Sequence, residues 1–453
     1  MSSFDIKFGW RWLLPINRND SICLVGFSNE EHVFWQEKYP HLQFKTEDEV
    51  TDVLIVNAAN KLLNLKNATA NKLLCVITTR SKINTWKSFL FDHYNIVNEY
   101  GLLPAHNPRI VIPLSSRKRV RIALSLHRPG RWFARFAITA SLFFSSFGIY
   151  FLLRNKVIFI ATKLSHPNSH TVDKKILFHQ SLLKTHDQDF ALYIGTPNEK
   201  RKIVVLPLTD SCPEIIFKVA LNPVACTSLE NEAFSLRLLS ESPIADSVPR
   251  FAGIATSSNS VTLGQEYRPR INANSNKINL AIVKFLGALS IVERREVWLA
   301  DILPSTTKNL DTTKNDELND ARTLLFEWLK MLEGQGRKVI VHRTHGDFAP
   351  WNYSWTEKGF FVFDWEDSQD SGFALSDAFY SVIAPAMFIN LKPKPSKILK
   401  DALQLGSQVM EAAMLQGDVK MYFVLWLLSL INRNVLFDAL VIRLAYSCGA
   451  KEH

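Results

Sequence analysis

The chain has 453 residues, of which 47% are hydrophobic and 21% charged, and a formal net charge of +10. These proportions exclude a disordered chain, a collagen-like repeat and a small disulfide scaffold, and the length suits two or three domains of roughly 150 residues each. The charge is uneven: Gly101 to Leu164 contains eleven Lys and Arg and no Asp or Glu, which leaves −1 for the remainder.

The five cysteines (Cys23, Cys75, Cys212, Cys226 and Cys448) are widely spaced and form no C-x-x-C pair. Neither a zinc site nor a disulfide framework is suggested, and a reducing compartment is the simpler reading. Met1 to Trp10 has no apolar run and does not read as a signal peptide.

In chain order, Ser21–Gly26, Asp52–Val56 and Leu73–Thr78 are short apolar runs rich in β-branched residues. They read as buried strands of a parallel sheet. Lys82–Tyr100 has aliphatic and aromatic residues at near-helical spacing, so 1–164 is expected to be an α/β domain. Phe136–Leu153 is a run of eighteen residues without a charge, flanked by Arg135 and Arg154, with seven basic residues between Arg117 and Arg135 before it. Its length passes for a membrane span. The positive-inside rule would then carry everything after Leu153 out of the cytoplasm, in conflict with the chemistry read from those residues below. The expectation is therefore a buried helix over Ala134–Ser145 with a closing hairpin of Gly148–Leu153 and Val157–Lys163. An interfacial or re-entrant segment is the second reading and a true span the third.

Ser165–Asp173 is polar with Pro and Ser and reads as a linker, placed at 165–175. Phe190–Gly195 and Arg201–Pro207 form an expected hairpin, followed by a strand at Glu214–Val219, a helix at Ser228–Ser240 with Ser228 at its N-cap, and a strand at Val261–Glu266. From Asn279 onward the pattern is mainly helical, interrupted at His342–Trp365.

That interruption holds the most informative residues: HGDFAPWN at His345–Asn352, then VFDWE at Val362–Glu366. Phosphoryl transfer from ATP needs an acceptor hydroxyl in line with the γ-phosphate and magnesium to neutralise the phosphate charge. Magnesium prefers oxygen ligands, so an amide carbonyl and a carboxylate are suitable types. A separate carboxylate must orient the hydroxyl and accept its proton. Asp347, Asn352 and the strand-borne Asp364 supply that set.

These two motifs resemble the catalytic loop and magnesium motif of the aminoglycoside phosphotransferase and choline kinase family, which has a protein-kinase-like fold. The resemblance covers about 176–445. It implies Asp347 as catalytic base, His345 as a brace of the loop, Asn352 and Asp364 as magnesium ligands, and Asp377 as a structural support. It also implies a strand Lys holding the ATP phosphates and a helix Glu holding that Lys. Lys218, alternating within IIFKVA, and Glu232 fit in order and spacing, with Glu230 as competitor. The turn at Gly195 and Thr196 stands where a phosphate-covering loop belongs, although it departs from a full G-x-G-x-x-G. Glu266, with Gln265 and Tyr267, would pass the adenine. Glu366, Asp367 and Asp370 permit a cationic acceptor without demanding one.

The strand–Gly run SICLVG, the second strand TDVLIV, a third strand and a closing hairpin give 1–164 a weaker resemblance to a class I methyltransferase-like domain. VGFSNEE lacks the Gly-rich turn such a cofactor site needs, so a degenerate domain is expected. The whole reads as α/β plus α+β: a Rossmann-like α/β domain, then a two-lobed kinase-like domain over 176–453, its small lobe to about 270. The expected activity is ATP- and magnesium-dependent transfer to a hydroxyl of a sugar, aminosugar or amino alcohol, in the cytoplasm. A nucleotide-binding pseudokinase, or a membrane-surface protein touching anionic lipid through 117–154, are the alternatives. No nucleic-acid-binding motif is recognisable, so nucleic acid is not an expected partner.

Overall fold

The computed structural model describes residues 10–11, 14, 16, 19–47, 49–58, 70–94, 96–104, 108–126, 139–140, 142–143, 153, 155–162, 189–195, 198–208, 212–257, 260–302, 316–333, 336–388, 394–431 and 435–449. The expected linker 165–175 and nearly all of the apolar run 136–153 lie outside these residues. Among the described residues, no helix is long and apolar enough to cross a membrane. The chain divides into two compact units: 1–229 with 252–267, and 230–251 with 268–453.

The first unit is built on one sheet. Strands β1 (Ser21–Val25), β2 (Gln43–Phe44), β3 (Val53–Asn57) and β4 (Leu73–Thr79) lie in the order β2-β1-β3-β4, all parallel. β7 (Lys156–Thr162) runs antiparallel beside β4 and is followed by β5 (Ile96–Leu103) and β6 (Ile110–Pro113), antiparallel in turn. The second strand of the expected hairpin is thus present as β7, and its partners are β4 and β5. β5 starts inside the stretch expected to be helical; the helix there is α2 (Ile83–His93).

β1, β3 and β4 are buried along almost their whole length because both faces are covered. Alternate residues serve separate cores. Ile22, Leu24, Val53, Ile55 and Cys75 pack with Phe34 and Trp35 of α1 (Asn29–Lys38). Cys23, Val25, Leu54, Val56 and Val76 pack with Trp86 and Leu90 of α2, and with Val120, Ala123 and Leu124 of α3 (Arg117–Leu126). α1 is anchored by a reciprocal cap, Ser28 Oγ accepting from Glu31 N and Glu31 accepting from Ser28 N. α3 shows Arg117, Lys118 and Arg121 to solvent, while Arg119 pairs with Asp189 at 2.5 Å.

The sheet then continues. β8 (Asp189–Ile194) pairs antiparallel with β6 through Tyr193↔Ile110 and Leu192↔Val111. Beyond it lie β9 (Lys202–Leu208), β10 (Ile215–Ala220), β12 (Ser260–Glu266) and β11 (Phe251–Ser257), so that twelve strands form one sheet.

Helix α4 (Pro223–Leu239) starts in the first unit and ends in the second. The second unit holds α5 (Ser275–Leu289), α6 (Asp316–Glu333), α7 (Ser376–Phe388), α8 (Pro395–Ala412), α9 (Val419–Leu430) and α10 (Val435–Gly449). A three-stranded antiparallel sheet of β13 (Arg295–Trp298), β14 (Lys338–Thr344) and β17 (Gln369–Phe373) lies among them, with a hairpin of β15 (Tyr353–Thr356) and β16 (Gly359–Val362). α9 is apolar all round and correspondingly buried from Met421 to Leu428.

Candidate active site

β14 is buried from Val339 to Thr344 and delivers the chain into His345 at its end. The loop that follows is held by its own backbone and by four side chains. Asp377, in the first turn of α7, accepts from His345 N at 2.7 Å and from Gly346 N at 3.0 Å, so one carboxylate satisfies two adjacent amides. Its near-complete burial raises its pKa, and those two hydrogen bonds and His345 oppose the rise. Gly346 has φ +83°, and a Cβ there would run into the carbonyl of Asp367, so a side chain is excluded on both counts.

His345 is fully buried. Its Nδ1 receives the Asp347 N–H at 3.2 Å and its Nε2 lies 3.0 Å from the Phe363 carbonyl. An acceptor on one side and a donor on the other define a neutral ring protonated at Nε2, and burial lowers its pKa in the same sense. The ring ties Asp347 to the strand end that precedes Asp364. Phe348 stacks on Phe285 of α5, with ring centroids 5.7 Å apart, and forms an apolar base for the loop.

Asn352 Nδ2 donates to the Asp347 carbonyl at 2.8 Å and to Asp347 Oδ2 at 2.7 Å. Both targets are acceptors, so the amide must present its nitrogen to them, and its Oδ1 is the atom not engaged by the loop. Asp347 is only partly exposed. Burial raises its pKa, hydrogen bonds from Tyr380 and Asn352 lower it, and the charges of Asp364 and Asp367 add to the rise. Tyr380 stands on α7, one helical turn beyond Asp377.

Asp364 follows β16 in the left-handed region, φ 72° and ψ 55°. Asp is among the few non-glycine residues that tolerate it. The reversal leads into the short turn Trp365–Asp367, with Trp365 fully buried and its indole N–H on the Val362 carbonyl at 3.1 Å. Asn231 of α4 binds the carbonyls of Glu366 and Ser368 at 2.8 and 3.0 Å. Arg343 is buried at 2% exposure, pairs with Glu293 and reaches Ser368 Oγ at 3.1 Å. Glu366 and Asp367 are half-buried, whereas Asp370 is exposed on β17 with Ser371 Oγ on its carboxylate at 2.7 Å.

His345, Asp347, Asn352, Asp364 and Asp377 therefore gather in one loop system, with Glu366 and Asp367 on the turn that follows. Tyr380, Asn231 and Arg343 were not foreseen. Each is a single polar residue in an otherwise ordinary element, and position alone marks two of them: Asn231 stands one residue before Glu232 and Arg343 two residues before His345.

Of the two glutamates on α4, Glu232 is fully buried and Glu230 exposed. In the first unit, Lys218 is 7% exposed on β10, between Val204 of β9 and Leu263 of β12. A Lys so placed requires an anionic or hydrogen-bonding environment. Gly195 follows β8 directly, and a Cβ on it would lie 2.8 Å from the Lys202 carbonyl. Thr196 lies outside the described residues. Glu266 closes β12 opposite Ile215, and the next residue, Tyr267, donates its N–H to Glu214 O at 2.7 Å.

A cavity of about 190 Å³ lies in the second unit beside Gly346, Asp377 and Tyr380. Its wall includes the hydroxyls of Ser371, Ser376 and Ser429 and no Lys or Arg. Among the described residues, no three His, Cys, Asp or Glu side chains converge as a metal cluster. A magnesium ion held by one carboxylate, one amide and phosphate oxygens requires no such cluster, and the unengaged Asn352 Oδ1 fits that donor set.

No protein-family model and no curated protein matches the sequence. Among solved structures, the chain is similar to the ADP-bound aminoglycoside phosphotransferase APH(2'')-Ib, at 12% identity over 61% of this chain and 99% of that chain, with a TM-score of 0.36. It is similar to the aminoglycoside phosphotransferase APH(3'')-Id of Streptomyces rimosus, in complex with ADP and streptomycin, at 11% identity over 60% of this chain and 99% of that chain, TM-score 0.37. A third likeness is to the amicoumacin kinase hAmiN in complex with AMP-PNP and Ca2+, at 12% identity over 62% of this chain and 94% of that chain, TM-score 0.33.

Proposed function

We propose that this chain is an ATP-dependent phosphotransferase that moves the γ-phosphoryl group to a hydroxyl of a small molecule. The observation that carries the reading is the Asp347 carboxylate, held by Asn352 and Tyr380 in a loop whose amides are clamped by Asp377. A general base must be fixed in direction, and its pKa works best when raised toward the operating pH. Asp347 takes the acceptor hydroxyl's proton as that oxygen bonds to the γ-phosphorus and ADP departs. Asn352 Oδ1 and Asp364 would hold magnesium, which neutralises phosphate charge. By their order and spacing in the sequence, Lys218 is assigned to the ATP phosphates and Glu232 is the candidate acid of the helix that follows. The turn at Gly195 and Thr196 covers the phosphates, and Glu266 borders the adenine.

The hydroxyl-lined cavity beside Tyr380 favours an acceptor rich in hydroxyls, and Glu366, Asp367 and Asp370 admit an amino group on it. The test is ATP turnover by the purified protein over a panel of sugars, aminosugars, amino alcohols and aminoglycosides. Asp347→Asn should reduce acceptor-dependent turnover by about 10²–10⁴-fold. Undiminished turnover in that variant overturns the assignment.

For the first part of the chain we infer a Rossmann-like arrangement, supported by four parallel strands with helices on both faces. Gly26 is its lone glycine after β1, followed by Phe27 and Ser28, and we propose no cofactor there. As the alternative, we propose contact with anionic lipid through 117–154, to which Arg117, Lys118 and Arg121, exposed on α3, would contribute.

A further inference from the structure

The turn that follows Asp364 is held from three sides, all within the second unit. From α4, Asn231 Nδ2 donates to the carbonyls of Glu366 at 2.8 Å and Ser368 at 3.0 Å. From β14, Arg343 Nη1 donates to Ser368 Oγ at 3.1 Å, and that hydroxyl donates in turn to the Thr344 carbonyl at 2.8 Å. From the catalytic loop, Gly346 approaches the Asp367 carbonyl so closely that a Cβ would collide with it. Ser368, 5% exposed, is therefore tied to α4 by its carbonyl and to β14 by its hydroxyl.

Arg343 is itself fixed. Its guanidinium pairs through Nε with Glu293, and its backbone N–H donates to the Val292 carbonyl at 2.9 Å. Glu293 follows the end of α5 with φ 55°, a conformation that persists only where the surroundings enforce it. The guanidinium carbon lies 5.7 Å from the centroid of the Phe234 ring, and Nη1 lies 3.5 Å from Ser235 Oγ. Asn231, Phe234 and Ser235 are three and four residues apart, so they share one face of α4. One helix face thus meets the turn and Arg343 together.

The turn matters because of how it begins. Asp364 has φ 72°, where a residue with a Cβ is strained unless its neighbours over-determine it. Its side-chain direction follows from the backbone on both sides. On the near side, His345 Nε2 meets the Phe363 carbonyl. On the far side, Asn231 and Arg343 bind the turn at positions 366 and 368. Groups that orient a metal ligand from behind typically change metal affinity by about 10–100-fold when lost.

We propose that Asn231 and Arg343 are positioning residues for magnesium: by fixing the 365–368 turn on α4 and β14, they set the direction of the Asp364 carboxylate. The role presupposes the phosphoryl transfer proposed at Asp347.

Mn2+ is the probe, titrated into the full-length protein in the presence of ADP and read by electron paramagnetic resonance. Asn231→Leu keeps the size of the side chain and removes both donated bonds. Mn2+ binding about tenfold weaker is expected, with the number of sites retained and ADP affinity without metal unchanged. The Mg2+ concentration for half-maximal turnover should rise by the same factor. A merely structural role would lose sites in proportion to the unfolded fraction and leave the affinity of the remainder unchanged. That result, or full occupancy at the parent's affinity, overturns the positioning role and leaves phosphoryl transfer standing. Absence of an ADP-dependent Mn2+ site in the parent protein overturns phosphoryl transfer itself, and this role with it. Arg343→Gln should weaken Mn2+ binding in the same direction. Because it removes the buried charge of an ion pair, its Tm is measured alongside, and Asn231→Leu decides the matter if that variant does not fold.

Discussion

Tyr380 places a hydroxyl on the carboxylate of Asp347, where a donor favours the ionised form. Its removal therefore has a defined sign. Tyr380→Phe raises the Asp347 pKa, so the carboxyl stays protonated to higher pH and the acidic limb of the kcat/KM profile moves upward. A profile unchanged in position would leave Tyr380 a packing residue. Gly346 is constrained differently: its positive φ and the nearby Asp367 carbonyl both exclude a side chain. Gly346→Ala is expected to cost at least about 1–2 kcal/mol in conformation alone, seen as a lower Tm, with activity lost as the loop shifts from Asp377. At this scale the sequence was legible where residues act over short spacing. Asp347 and Asn352, five apart, meet in hydrogen bonds because one loop turn brings them together. Tyr380, thirty-three residues on, faces the loop only because α7 is set by Asp377, and nothing in a largely apolar helix marks it.

Helix α3 illustrates how a charge run divides once folded. Arg119 turns inward to Asp189, whose carboxylate also accepts from Ser115, while Arg117, Lys118 and Arg121 stay outside. Arg119→Ala should destabilise the protein by about 1.5–3 kcal/mol, the usual worth of a hydrogen bond to a charged group, measured by denaturant unfolding. The triple change of Arg117, Lys118 and Arg121 to Ser should leave stability nearly unchanged and abolish any salt-sensitive binding to phosphatidylserine vesicles. Equal vesicle binding by parent and variant would remove the membrane role from this helix. Strands β1, β3, β4, β9 and β10 were readable because each is a short β-branched run. β5 was not: its residues continue a helical-looking pattern, and its conformation is set by pairing with β7, more than fifty residues later. Such distant pairing leaves no local signature.

For the whole molecule, the continuous sheet matters more than either half. Its first strands follow the expected α/β pattern and its last strands the expected antiparallel hairpins, but neither pattern announces that β6 and β8 pair. Edge pairing is satisfied by backbone groups, which every sequence carries alike, so the junction was invisible in the residues. Lys218 sits well inside this sheet, on β10, two strands from β8.

The β6–β8 pairing also dictates how the protein can be cut. A fragment starting at 176, the natural choice if the motifs alone guided it, would strip β8 of β6, leave it paired with β9 alone, and turn an interior strand into an open edge. Ala191, Leu192 and Ile194 on that strand are buried in the intact chain, and an apolar, unpaired edge is a template for chain-to-chain association. Expressed alone, residues 176–453 should form oligomers or precipitate, as read by size-exclusion chromatography, while the full-length chain does not.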